Sequence, residues 1–253
     1  MKISVVIIAF NEEDRLADAL ISCKNIADEI IVVDSYSTDK TVEIAKQNGA
    51  IIIQHEFKNY GDQKNFAMKQ AKNNWVLNLD ADERISEELK SEILDIKKKY
   101  IKKNNDFSAY KIKRKTSYLG RWIKHSGWYP DKKIRLFKKD KSHWEGRIHE
   151  GLFVDGPISS ELNGDILHYT YRDVTDHIKR LNRYSKMQVE DIVKKGKKLL
   201  YLRVIILPPI TFIRFYIWKM GVLDGFPGFL IALISSWSAA MKYIKAIELN
   251  RKK

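Results

Sequence analysis

Trp75-Val76-Leu77-Asn78-Leu79-Asp80-Ala81-Asp82-Glu83 decides how this chain is read. An apolar run too short for a helix ends in two carboxylates one residue apart. Along a strand, residues i and i+2 face the same side, so Asp80 and Asp82 are expected to converge on one ligand where the strand stops. Such a pair supplies hard oxygen donors, and Mg²⁺ or Mn²⁺ is commonly held by one or two carboxylates together with the phosphates of a substrate. A polar turn after a buried strand would carry the same residues, so the meaning of the motif rests on its surroundings.

Upstream the chain repeats one unit. Ile3-Ser4-Val5-Val6-Ile7-Ile8-Ala9 is a β-branched run bounded by Asn11-Glu12-Glu13-Asp14, which fits a strand entering a helix. Ile30-Ile31-Val32-Val33-Asp34 repeats the pattern, followed by the turn Ser35-Tyr36-Ser37-Thr38-Asp39, a helical stretch from Lys40 to Asn48, and Gly49 at a C-cap position. Ala50 to Gln54 reads as the third strand and Trp75 to Leu79 as the fourth. Continuous apolar strands alternating with helices imply an α/β fold with a mostly parallel central sheet and right-handed crossovers. Ligands of such sheets bind outside the carboxyl ends of the strands, where Asn11, Asp34 and Asp80 all fall.

Taken together, Ala9-Phe10-Asn11-Glu12, Asp34-Ser35-Tyr36-Ser37-Thr38-Asp39-Lys40-Thr41 and Asp80-Ala81-Asp82-Glu83 resemble the inverting family 2 glycosyltransferases of the GT-A (Rossmann-like) fold. The resemblance implies that Ala9, Phe10, Asn11, Glu12, Asp34 and Ser35 bind the uracil and ribose of a nucleotide sugar, with Asp34 accepting from the uracil N3–H and Glu12 beside the ribose. It implies that Asp80, Ala81 and Asp82 hold ribose and a metal-diphosphate, Asp82 being the ligand of Mg²⁺ or Mn²⁺. Asp39 is expected to cap the second helix. In Asn59-Tyr60-Gly61-Asp62-Gln63-Lys64-Asn65, Lys64 is either a phosphate contact or a solvated helix charge.

Trp128-Tyr129-Pro130-Asp131-Lys132-Lys133-Ile134-Arg135-Leu136-Phe137 and Trp144-Glu145-Gly146-Arg147-Ile148-His149-Glu150 are similar to the lipopolysaccharide-core glucosyltransferase branch of that family. The similarity implies Glu150 as catalytic base, His149 as a metal or diphosphate contact, and Asp131 as the reserve base. A base is needed because the acceptor hydroxyl loses its proton as it attacks the anomeric carbon. The implied reaction is transfer of a hexose, glucose first, from a UDP-sugar to a glycolipid or oligosaccharide acceptor such as a core heptose. A nucleotidyltransferase would carry a Gly-rich phosphate loop, and none follows Ala9. A catalytically inactive nucleotide-sugar-binding or membrane scaffold protein is the alternative outside enzymes.

Residues 1–90 carry 11 Lys+Arg against 16 Asp+Glu, so the whole-chain net charge of +14 comes from the remainder. Lys97-Lys98-Lys99, Lys102-Lys103, Lys132-Lys133, Lys138-Lys139 and Lys194-Lys195-Gly196-Lys197-Lys198 could meet a membrane, a phosphorylated acceptor or nucleic acid, but no nucleic-acid-binding motif accompanies them. From Leu199 to Met241 the chain is strongly apolar. It is interrupted by Arg203, Arg214, Lys219 and Asp224, and Pro208-Pro209 are expected to break its helix. A monotopic hairpin in the membrane interface, anchored by Trp218 and Trp237, fits this pattern; a lid over the acceptor cleft or a dimer interface would also use it. Ahead of it, Thr175 to Lys195 reads as an amphipathic helix with Ile178, Leu181, Tyr184, Ser185, Gln188 and Ile192 on one face.

The expected organisation is a catalytic domain over 1–172 and a C-terminal helical, membrane-associated region over 173–253. A single cysteine, Cys23, leaves no partner for an intramolecular disulfide, and Lys2 leads into the first strand without the apolar stretch of a signal peptide. The expected location is the cytoplasm, peripheral to the cytoplasmic face of the inner membrane.

Overall fold

A computed structural model describes residues 1–100, 107–146, 151–194 and 199–251. Strands β1 (Ile3–Ala9), β2 (Glu29–Asp34), β3 (Ile51–Gln54) and β4 (Trp75–Asp80) form the parallel half of one sheet, with β1 between β2 and β4. Ile7 pairs with Val32 on one side and Leu79 on the other. All three are buried, as the continuous apolar runs require of strands covered on both faces. The crossovers are α1 (Leu16–Cys23), α2 (Thr41–Gln47) and α3 (Tyr60–Gln70).

The chain then builds the other half of the sheet from β5 (Glu83–Ile85), β6 (Ala109–Tyr118), the two-residue β7 (Arg121–Trp122), β8 (Asp131–Lys138) and β11 (Ile158–His168); helix α4 (Glu87–Tyr100) follows β5, and β9 (Ser142–Glu145) and β10 (Gly151–Val154) form a separate two-stranded hairpin. Here pairing is antiparallel: β8 inserts between β4 and β6, and β11 pairs with β5. The sheet is therefore mixed, in the order β3-β2-β1-β4-β8-β6-β11-β5. Antiparallel strands need no crossover helix, and among the described residues no α-helix intervenes between β6 and β11.

Two compact units result: Met1–Arg114 with Asp131–His168, and Lys115–Pro130 with Tyr169–Lys253. The segment 115–130 thus belongs with the C-terminal helices, unlike a single division near residue 172.

In the second unit, α5 (Val174–Lys194) buries His177, Ser185 and Val189 and leaves Ile178 and Tyr184 each 39% exposed, so its inward face is rotated from the expected one. Aromatic packing explains the phase. His177 Nδ1 lies 2.9 Å from the Tyr118 hydroxyl, and its ring stacks on Tyr171 at 4.1 Å between centroids. Burial pushes His177 down to about 4 and the Tyr118 and Tyr171 phenols up to about 12.

Helix α6 (Leu200–Ile213) runs straight through Pro208-Pro209 and continues as a π-helical segment, Arg214–Trp218, correcting the expected break. Packing along α7 (Phe226–Arg251) overrides the two missing N–H donors, and Ser236 Oγ donates to the Pro208 carbonyl at 2.8 Å. The 19 residues Leu200–Trp218 and the 26 residues of α7 are each long and apolar enough, by length and composition, to cross a membrane.

Candidate active site

At the end of β1 the backbone turns through Asn11, whose φ of 55° lies in the left-handed region that Asn tolerates better than most residues. Its N–H donates to Ser37 Oγ and its Oδ1 accepts from the Thr38 N–H, both at 2.9 Å. Asp34, fully buried at the end of β2, accepts from the Ser37 N–H at 3.0 Å and from the Ser37 hydroxyl. Asp39 accepts from the Thr41 N–H at 3.0 Å, and its second oxygen takes the Glu13 N–H at 3.2 Å; Lys40, not Asp39, stands at the N-cap of α2, so Asp39 ties the two loops together ahead of the helix. The Glu12 N–H donates to Thr41 Oγ1 at 2.8 Å.

The loops after β1 and β2 are therefore laced together, and between them they expose two aromatic rings, Phe10 at 57% and Tyr36 at 56%. Exposed rings on a fixed backbone are suited to stacking a planar base. Ala9 is buried in the sheet, while Ser35 Oγ accepts from Gln63 Nε2 at 3.0 Å, tying the β2 loop to α3.

Helix α3 starts at Asn59, whose side chain accepts from the Asp62 N–H at 2.9 Å. This start fixes Lys64, which is 5% exposed and so is no solvated helix charge. Its Nζ lies 3.6 Å from Asp80 Oδ1 and 4.7 Å from the Trp144 ring centroid. The next side chain, Asn65, donates to the Trp144 carbonyl at 2.9 Å and accepts its N–H at 2.8 Å, so α3 grips the β9–β10 hairpin. Glu145 pairs with Gly151 in that hairpin. His149 and Glu150 precede Gly151 in sequence and lie outside the described residues.

Asp80 meets a buried charge network. Arg135 Nη2, on a side chain only 5% exposed, donates to Asp80 at 2.8 Å and to the fully buried Glu83 at 2.6 Å. Arg114 reaches Glu83 at 3.2 Å and Asp131 at 2.6 Å, and Lys133 lies 3.3 Å from Asp131. Burial alone would raise the Asp80 pKa, but the charges of Arg135, Lys64 and Arg114 hold it far below the usual carboxylate range. Asp131 behaves alike: burial raises its pKa, Arg114 and Lys133 more than reverse that, and the paired carboxylate is left a weak base. The Arg135 guanidinium, which burial would make more acidic, is instead held more basic by Asp80 and Glu83.

Asp82 has different partners. Strand β4 stops at Asp80 and Ala81-Asp82 form a turn, so the two-residue period lapses where convergence would require it. Asp82 Oδ2 lies 3.5 Å from His168 Nε2, at the end of β11, and 3.6 Å from Arg15 Nη1. The Asp82 and His168 side chains are 15% and 12% exposed. Among the described residues no cluster of three His, Cys, Asp or Glu could hold a metal ion. One carboxylate oxygen and one imidazole nitrogen nevertheless fit an ion that takes its remaining ligands from phosphates and water.

Sequence reasoning missed His168, Arg135 and Arg114. His168 stands 86 residues from Asp82, and the only local signal is its place at a strand end. The arginines sit in basic stretches that read as surface clusters until their burial is known.

A mostly parallel half-sheet with laced, aromatic-bearing loops and acidic residues at its carboxyl ends defines an α/β protein with one polar site at the strand ends. Residues 4–153 match the model of glycosyl transferase family 2, and the chain belongs to that family. It is 36% identical over 261 residues to the uncharacterized glycosyltransferase RT0209 of Rickettsia typhi, covering 99% of this chain and 88% of that one. It is 26% identical over 253 residues to the lipopolysaccharide core biosynthesis glycosyltransferase LpsC of Rhizobium meliloti, covering 96% and 92%. Among solved structures it is similar to residues 1–349 of Staphylococcus aureus TarS in complex with UDP-GlcNAc, with a TM-score of 0.45 and 15% identity over 100% of this chain and 92% of that chain.

Proposed function

We propose that this family 2 enzyme is an inverting, divalent-metal-assisted hexosyltransferase that takes a UDP-sugar, glucose first, and extends a cell-envelope glycan such as a core heptose of lipopolysaccharide. The observation that carries the reading is the site at the strand ends: Asp82 beside His168, and Lys64 beside Asp80, below loops that expose Phe10 and Tyr36. The relationship to LpsC supports an envelope acceptor.

The residues take these roles. Phe10 and Tyr36 flank the uracil, while Asp34, fully buried with both oxygens held by Ser37, fixes the β2 loop against the base and meets its N3–H only where the ligand shifts that loop. Asn11, Glu12 and Ser35 line the ribose side. Asp82 and His168, with His149 as a further candidate, would hold Mg²⁺ or Mn²⁺, which when bound neutralises charge developing on the leaving diphosphate. Lys64 adds a fixed positive charge toward the same group, and Arg135 keeps Asp80 ionised and in place. Glu150 takes the proton of the acceptor hydroxyl as its oxygen bonds to the anomeric carbon and the bond to UDP breaks, so the configuration inverts. Asp131, held by two cations, is the weaker candidate for that step.

The second unit supports attachment at the membrane interface. Asp224, in the connection between the two apolar helices, is 2% exposed and accepts from the N–H groups of Lys124 and His125 at 3.0 Å each. A hairpin that crossed the bilayer would carry Asp224, Lys124, Arg121 and His125 with it, and burying such a set in hydrocarbon is costly. An interfacial hairpin leaves this set at the polar boundary of the bilayer.

The test is UDP release by the purified full chain, with UDP-glucose and other UDP-hexoses, in the presence and absence of deacylated envelope glycan. Acceptor-dependent release that EDTA abolishes and Mn²⁺ restores is the expected result. Full activity in EDTA would remove the metal, and no release with any UDP-sugar would remove the donor.

A further inference from the structure

A cavity of about 480 Å³ lies wholly within the second unit, lined by Arg121, Trp122, Lys124, His125, Leu223 and Asp224. Two short connections build it. One is the turn from β6 to β7, where Leu119 and Gly120 both have positive φ (49° and 74°), as a tight hairpin requires, and Tyr118 pairs with Arg121. The other is Gly221–Asp224, the single helical turn joining the two apolar helices.

The one acidic group faces the protein. Besides the two N–H groups, Asp224 accepts from Ser126 Oγ at 3.1 Å and lies 3.2 Å from His125 Nδ1, so both its oxygens are doubly engaged. The cationic groups are differently placed. Arg121 Nη2 donates to the Leu223 carbonyl at 3.0 Å, which anchors the guanidinium over the connection. Gly225, at φ +65°, leaves it room: a Cβ there would sit 3.0 Å from Arg121 Nη1. Among the described residues neither the Arg121 guanidinium nor the Lys124 ammonium has a carboxylate partner, and only one of the five guanidinium donors of Arg121 is used in a described hydrogen bond. Beside the cavity, Met220, Val222 and Leu223 are each about half exposed.

We propose that this cavity binds the phosphate of an anionic lipid headgroup. An anchored guanidinium fork and an ammonium lining one cavity suit phosphate oxygens in chemistry and charge. The exposed side chains of Met220, Val222 and Leu223 favour a phosphate that arrives on a lipid over one free in solution, because they gain by meeting acyl chains or the interface. The site sits on the connection between the two apolar helices, at the depth of headgroups when those helices lie in the interface. The inference rests on the interfacial attachment proposed above and is independent of the sugar chemistry.

The experiment is flotation of the full-length chain with phosphatidylcholine vesicles, with and without phosphatidylglycerol, at physiological salt. It compares wild type with Arg121→Gln/Lys124→Gln and with a charge-matched control on α5, Lys179→Gln/Lys186→Gln. Wild type should prefer the phosphatidylglycerol vesicles. The cavity variant should partition onto them about 25-fold more weakly, from two basic contacts each typical of a residue at an anionic surface, while its attachment to neutral vesicles and its UDP affinity stay unchanged. Equal losses in cavity variant and control would reduce the effect to diffuse charge and overturn the site. Wild type that floats on both vesicles without preference would also overturn it, leaving interfacial attachment standing; wild type that floats on neither would overturn attachment as well. Saturable calorimetric binding of inorganic phosphate at millimolar concentration, lost in the cavity variant, would reassign the cavity to a soluble phosphate ester and overturn the lipid assignment.

Discussion

Replacing Arg135 with leucine removes the cation on which the acidic end of β4 depends. Arg135 is 5% exposed and serves Asp80 at 2.8 Å and Glu83, itself fully buried, at 2.6 Å. After the substitution, the cations left paired among the described residues are Arg114 with Glu83, at 3.2 Å, and Lys64 with Asp80, at 3.6 Å. Removing one partner of a buried pair leaves an uncompensated charge and typically costs about 3–5 kcal/mol. Urea unfolding of both proteins, followed by a probe that reports the first unit, measures the difference.

The pH dependence of that difference tests the cause. In wild type the folded pKa of Asp80 lies below its unfolded value, so its contribution is present above about pH 4 and fades as the pH falls further. Without Arg135 the depression shrinks and burial counts for more. The gap between the two proteins should therefore be widest near neutrality and narrow below about pH 4. In the leucine background, Glu83→Gln should recover part of the loss, because it removes the stranded charge. A difference under about 1 kcal/mol at pH 7, or one that does not vary with pH, would refute a buried electrostatic anchor.

Asp82→Asn should leave the fold intact and lower turnover by at least 100-fold, checked by UDP release across a metal titration; near-wild-type turnover would remove Asp82 from the site. His168→Gln should raise the Mn²⁺ concentration needed for half-maximal activity by about 10–100-fold with little change in melting temperature, checked by the same titration. Glu150→Gln should cut kcat by about 10²–10⁴ while calorimetric UDP affinity stays unchanged, and Asp131→Asn should act more on stability than on kcat; the reverse order of damage would move the base to Asp131. Burial lowers His177 from 6.5 to about 4, so the unfolded chain takes up its proton first and stability should fall as the pH drops through that window, by up to about 3 kcal/mol. His177→Phe should flatten that fall in pH-dependent unfolding.

The parallel half of the sheet was legible because strands buried on both faces leave unbroken apolar runs such as Ile3–Ala9 and Trp75–Leu79, and the helix between β2 and β3 was marked by the polar turn before it and Gly49 after it. What depended on distant residues was not legible. The membership of 115–130 in the second unit follows from contacts such as that of Lys124 with Asp224, 100 residues on. The phase of α5 is set by Tyr118, 59 residues before His177. Pro208-Pro209 read locally as a helix break, yet packing against α7 holds α6 through them. The same limit applied at the site: Asp80 and Asp82 were visible as a pair, but the cations that separate their roles come from β8 (Arg135), α3 (Lys64) and the turn before α1 (Arg15). His168 had no local mark beyond its strand end.

The most direct measurement for the central claim is mass spectrometry of the envelope glycan from the source organism, with and without a working copy of this gene, complemented by wild type or Asp82→Asn. The account predicts a core glycan short by one hexose in the disrupted strain, restored by wild type and not by Asp82→Asn. An unchanged glycan, or full restoration by Asp82→Asn, would contradict it.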